Sequence, residues 1–103
     1  MNTVQLIGRW TGDPELRYSA SGTAVCKATL AVNRRFKRDE TDFLRVVMFK
    51  QTAEAAANYT KKGSQVAITG TIQSGSYEKD DGTKVFTTDI IADNLEFLEK
   101  KSS

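Results

Sequence analysis

Between Arg34 and Lys50 the chain interleaves three phenylalanines, Phe36, Phe43 and Phe49, with six cations: Arg34, Arg35, Lys37, Arg38, Arg45 and Lys50. Rings of this kind normally go to a core, and clustered charge normally goes to water. Together on one short segment they describe a surface that stacks flat rings and neutralises a negative backbone. Those are the two ingredients of single-stranded nucleic-acid binding. Residues 43 to 50 alternate in a way that sharpens this. Leu44, Val46 and Met48 make one apolar face suited to a core, while Phe43, Arg45, Val47 and Phe49 make the opposite one. Three acids, Asp39, Glu40 and Asp42, occupy the centre of the segment.

The rest of the composition narrows the classes of chemistry. The chain has no histidine, which removes the commonest general base and the commonest metal ligand. With one cysteine, Cys26, neither a usual Cys/His zinc site nor an internal disulfide can form within one chain. A lone thiol fits a reducing compartment. No apolar run reaches the about 18 residues of a membrane span. Met1 to Leu6 lack the basic region, apolar stretch and cleavage site of an export signal, which points to the cytosol. No cofactor, membrane or small-molecule substrate is expected. The net charge of +2 is too small to argue for nucleic acid, so the local density around Arg34 to Lys50 has to carry that argument.

A chain of 103 residues holds one core, and strand signals dominate it. Residues 2 to 9 are a short apolar-rich run. Thr11 to Gly22 carries turn chemistry at both ends, Gly12-Asp13-Pro14 and Ser19-Ala20-Ser21-Gly22. From Ala24 onward, Ala24, Cys26, Ala28, Leu30 and Val32 share one face, with Lys27, Thr29 and Asn33 on the other. A helix is predicted from Thr52 to Lys62, with Lys61 and Lys62 in its last turn and Gly63 as its stop. Ala53, Ala56 and Tyr59 lie along one side of it. Gln65 to Gln73 reads as a strand. Asp81-Gly82 marks the turn of a long hairpin from Ser76 to Asp89, and the last strand runs to Phe97 with an interruption near Ala92-Asp93-Asn94. Three strands, a helix and two more strands give an all-β fold. It is the five-stranded Greek-key oligonucleotide/oligosaccharide-binding barrel (OB-fold), with its helix between strands 3 and 4. In that barrel the binding face centres on the second and third strands, where the ring-and-cation segment falls. Residues 1–98 are expected to form the domain and 99–103 a frayed tail.

Several separated motifs resemble bacterial and phage single-stranded DNA-binding proteins. They are Leu6-Ile7-Gly8-Arg9, Gly12-Asp13-Pro14-Glu15-Leu16-Arg17-Tyr18, Ala24-Val25, and Ala31-Val32-Asn33-Arg34. Ala53-Glu54, Tyr59, Lys61-Lys62-Gly63-Ser64, Tyr77-Glu78, Asp81-Gly82 and Thr87-Thr88-Asp89 follow in the same order. The likeness runs from about Asn2 to Leu98. It implies the same barrel, assembly as a homotetramer, and single-stranded DNA as the partner, coated without regard to sequence in replication, recombination or repair. Its stacking positions fall on Phe36, Phe43, Phe49 and Tyr77, some of which are tryptophan in relatives. The sequence also departs from the pattern. Gln73-Ser74-Gly75-Ser76 stands where relatives carry basic residues, which shifts phosphate contact toward Arg34, Arg35 and Lys62; Arg45 is a further candidate phosphate contact. The loop from Lys37 to Asp42 is shorter than in many relatives. The sequence stops at Ser103 without the Gly-rich linker and acidic tip by which cellular relatives recruit replication proteins. Either it is truncated there, or it is a phage or accessory protein that does not recruit through a tail, and only in the second case are tail-mediated partners not expected.

Other residues read more plainly. Trp10 is assigned to packing or a subunit interface, and Phe86 and Phe97 to the core. Cys26 is assigned as an inert buried thiol. Arg17 serves structure as readily as DNA. Two alternatives remain beside DNA binding. A primosomal-type accessory protein of the same fold would be dimeric and act through partner proteins. A nuclease would need clustered carboxylates for a metal; Asp80-Asp81, beside Lys79 and Lys84, reads instead as hairpin chemistry.

Overall fold

The computed structural model describes residues 1–37 and 39–98; Arg38 of the cationic cluster and the 99–103 tail lie outside them. The order is β1 (Val4–Trp10), β2 (Glu15–Tyr18), β3 (Ala24–Asn33), β4 (Thr41–Phe49), α1 (Lys50–Tyr59), β5 (Gln65–Glu78) and β6 (Lys84–Phe97). The strands lie side by side as β1-β5-β6-β4-β3-β2. A second pairing, between β1 and β3 at Arg9↔Ala31 and Trp10↔Leu30, closes the sheet into a barrel. All neighbours are antiparallel except β4 and β6, which run parallel over Val46–Met48.

The alternation in the sequence sorts the faces as expected. Ala24, Cys26, Leu30, Val46 and Met48 are buried, and Leu44, Ala28 and Val32 pack against them half-buried. Val66 and Ile68 of β5 and Ile90 and Ala92 of β6 complete the core, which Ala53 and Ala56 of α1 cover at one end. Trp10 lies inside it, 2% exposed. Burial pushes the Cys26 thiol above its usual range, with the Glu15 carboxylate adding to the effect, so it stays protonated and unreactive. Two glycines permit close strand crossings. A side chain at Gly8 would meet the Ala31 carbonyl, and one at Gly70 would meet the Ile91 carbonyl.

Four details differ from the sequence expectation. Among the described residues the strand count is six, not five, because Glu15–Tyr18 pairs with the start of β3 and seats Leu16 opposite Cys26. This four-residue element, squeezed between two turn clusters, is too short to show a period. The helix therefore follows the fourth strand. It also begins earlier and ends earlier than predicted, because β4 runs straight into it through Lys50 in the left-handed region (φ 56). It stops at Thr60, which turns extended (φ −129, ψ 161). Thr60 Oγ1 donates to the Ala56 carbonyl and accepts the Trp10 Nε1–H at 3.1 Å, so that Lys61 and Lys62 lie beyond the helix. Third, the interruption near Asp93 is a bulge in a continuous strand: Thr69 faces Asn94 and Gly70 faces Ala92. Fourth, Phe86 and Phe97 are not core residues; they are 76% and 50% exposed. Phe97 lies edge-on to Tyr59, 6.1 Å between centroids, at the helix end, and Phe86 lies on the hairpin where no layer covers it.

The hairpin turn has the expected chemistry. Lys79 N–H donates to the Thr83 carbonyl at 2.8 Å, and Gly82 takes the left-handed conformation (φ 87). Asp81 accepts the Thr83 N–H at 2.9 Å, and this bond holds its carboxyl below the usual range. The acid thus serves the turn.

Candidate nucleic-acid interface

Register and pleat place the site residues. On β3 and β4 the pairs Val25↔Phe49, Lys27↔Val47, Thr29↔Arg45 and Ala31↔Phe43 all belong to the outward face, with the buried residues alternating beneath. Phe43 is 66% exposed and Phe49 42%. The two rings are six positions apart along the strand, about 20 Å at the usual rise. Val47, between them, is buried, flanked by Lys27 on β3 and Ile91 on β6. It is the one member of that face that behaves as packing.

Arg45 stands between the two rings on the same face, two positions from Phe43 and four from Phe49. Its Nε lies 3.7 Å from Asp89 Oδ1 on β6, an oxygen with no hydrogen-bond partner of its own. This ion pair orients the guanidinium, while Arg45 remains exposed to solvent. Beside it two shallow grooves join. One is lined by Glu15, Arg17, Val25, Lys27 and Arg45, and the other by Thr11, Asp13, Thr29, Lys27 and Arg45. The structure therefore brings Arg17 and Lys27 to Arg45. Lys27 was not among the site residues read from sequence. Its position on the outward face of β3 was legible, but its neighbours are set by pairing with β2 and β4. Lys62 joins the rim through its backbone, whose N–H donates to Asp13 Oδ1 at 2.8 Å.

The β3–β4 loop carries the remaining elements of the cluster. Phe36 is 92% exposed, and the Arg35 guanidinium carbon lies 5.6 Å from its ring centroid, a cation–π pair open to solvent. Arg34 is placed differently. Its Nη1 lies 2.9 Å from Glu40 Oε2, and its Nε and Nη2 both reach Asp42 Oδ1, at 3.2 and 3.1 Å. The Arg34 N–H also donates to the Glu40 carbonyl. The acids at the centre of the segment thus close the loop around Arg34, and a phosphate would have to compete with them for it. Tyr77, 55% exposed, lies on β5 opposite Val85. Tracing pairs from Val47↔Ile91 and Thr71↔Ile91 along the hairpin puts Tyr77 on the same face as Arg45 and Phe49.

Each of the four rings is exposed, three of them on one continuous sheet face and the fourth at the loop mouth beside it. Among them lies Arg45, which stays exposed to solvent beside Asp89. Such a surface can stack bases and meet phosphates, contacts that carry no sequence information of their own.

Comparison with known proteins agrees with this geometry. The model of the single-strand binding protein family matches residues 1–98. A protein of Clostridium perfringens (strain 13 / Type A) named single-stranded DNA-binding protein is 53% identical over 100 residues, covering 96% of this chain and 67% of its own. One of Streptococcus pneumoniae serotype 4 with the same name is 48% identical, covering 99% and 68%. Single-stranded DNA-binding protein 3 of Listeria innocua serovar 6a is 47% identical, covering 100% and 67%. With one family matched over nearly every described residue, and relatives this similar along the whole length, the chain belongs to the single-strand binding protein family.

Proposed function

We propose that this chain coats single-stranded DNA without reading its sequence and protects it during replication, recombination or repair. It acts by occupancy and not by catalysis. The observation that carries this is the outward face of β4, where Phe43, Arg45 and Phe49 are exposed over a strand whose other face is core. Bases stack on Phe36, Phe43, Phe49 and Tyr77; Arg35, Arg45 and Lys62 meet phosphates, joined by Arg17 and Lys27, and by Arg34 once its acids yield. The relatives' names fit this function and not the primosomal alternative. Assembly as a homotetramer is part of the proposal. It is supported by β1, which pairs with β5 along its length but with β3 only at Arg9 and Trp10, leaving the other edge of Val4–Gly8 without a strand among the described residues. Ile7, 58% exposed, lies on that strand beside Phe43 in a shallow depression whose walls also include Arg9, Asn33, Thr41 and Gln65. A cytosolic site of action fits the single buried thiol, and among the described residues no helix is long and apolar enough to cross a membrane.

Salt dependence tests the electrostatic half of the proposal. The logarithm of affinity for an oligo-dT should fall linearly with the logarithm of salt, at about −0.7 per phosphate neutralised. A response flat in salt would mean that the cations only solvate the surface.

A further inference from the structure

Beyond Gly70 on β5 and before Ile90 on β6, the two strands pair, among the described residues, only with each other and form a ribbon that leaves the barrel. Both faces of this arm meet solvent. Tyr77 lies on one, continuous with the Phe43–Phe49 face. The other carries Phe86, opposite Ser76 and two residues from Lys84. Phe86 is more exposed than Phe43, and Lys84 Nζ lies 5.7 Å from its ring centroid.

From this placement we infer that Phe86 is a fifth stacking platform for single-stranded nucleic acid, on the far side of the arm. The inference rests on the function proposed above and extends the path of the strand. A strand leaving the Phe43–Phe49 face past Tyr77 bends over the arm and sets a further base on Phe86.

Three features favour a base over a protein partner. The ring-with-cation arrangement repeats the one at Arg35 and Phe36, 5.6 Å in that case. The neighbours of Phe86 on its face are Ser76, Thr88 and Lys84, small or polar groups that leave the ring accessible and do not build the contiguous apolar patch of a protein interface. Glu78 faces Lys84 in the register, so this side of the arm is nearly neutral and the ring itself must carry the contact. A flat face serves any base, which suits binding without sequence preference.

The test compares the intact chain with Phe86→Ala, Phe86→Leu and Phe86→Trp on two oligo-dT lengths. The short strand, about 4–8 nucleotides, covers little beyond one barrel face; the long one is several times that length. Phe86→Ala should reduce affinity for the long strand roughly 5- to 100-fold and leave the short strand and the salt slope unchanged. Phe86→Leu, apolar but without a flat face, should lose as much; Phe86→Trp should restore binding and be quenched by the long strand. Mass in solution should be the same for all four proteins. Equal binding by Phe86→Ala at both lengths would overturn the inference and leave the function standing. So would full binding by Phe86→Leu, or a fall in mass for Phe86→Ala, which would assign the ring to a contact between copies. No binding of either strand by the intact chain would overturn both.

Discussion

Phe43→Ala should weaken binding of an oligo-dT by about 1–3 kcal/mol, the contribution of one stacked base, with little change in unfolding midpoint. The two halves of that expectation come from one geometry. Two thirds of the Phe43 side chain is in solvent, so its removal opens no cavity, while its neighbours Leu44 and Val46 keep the strand anchored. Phe49 is more embedded, at 42% exposure, and its alanine variant should lose some stability together with affinity. Because the rings are about 20 Å apart along the strand, their losses should nearly add, giving about 2–6 kcal/mol for the double variant. Fluorescence anisotropy of a labelled strand measures the first quantity and urea unfolding the second. Unchanged affinity in a folded double variant would remove stacking on this face from the mechanism.

Trp10→Ala should have the opposite profile: a loss of about 3–5 kcal/mol in stability, with affinity preserved in whatever fraction stays folded. Trp10 is the largest of the fully buried side chains. It also ties the barrel to the helix end, since its indole N–H donates to Thr60 and its backbone exchanges bonds with Gly63 and Ser64. Against a total stability of about 5–15 kcal/mol for a domain, this one change consumes a large share. Trp10→Phe keeps a ring in place and gives up the indole hydrogen bond, so it should fall between the two. A midpoint that barely moved in Trp10→Ala would contradict the placement of Trp10 in the core.

Periodicity in the sequence located much of this. The alternation in residues 24 to 33 and 43 to 49 identified both central strands and their faces, because a half-buried strand must segregate its side chains at every second residue. Asp81-Gly82 identified the hairpin turn, because few residue pairs adopt its backbone. What periodicity cannot supply is the layer that covers a face. As aromatics on a strand, Phe86 and Phe97 read as core, yet the arm extends past the barrel and, among the described residues, no apolar layer covers Phe86; only the Lys84 ammonium approaches its ring. Lys27 was visible as outward-facing, but its approach to Arg45 depends on which strands flank it. The acids near Arg34 were apparent as composition, whereas their closure on its guanidinium is a property of the folded loop. Glu15–Tyr18 was too brief to show its own pattern, and the end of α1 was set by Thr60 reaching Trp10, fifty positions away in sequence.

The central claim is that a strand lies along the outward face of β3 and β4 with its bases on exposed rings. Photo-cross-linking of a bound oligo-dT, followed by mass spectrometry of the peptides, examines it most directly. The expected attachment points are Phe36, Phe43, Phe49 and Tyr77, with none at the equally accessible Tyr59–Phe97 pair by the helix end. Attachment concentrated at Tyr59 and Phe97, with the β4 rings unmodified, would contradict it.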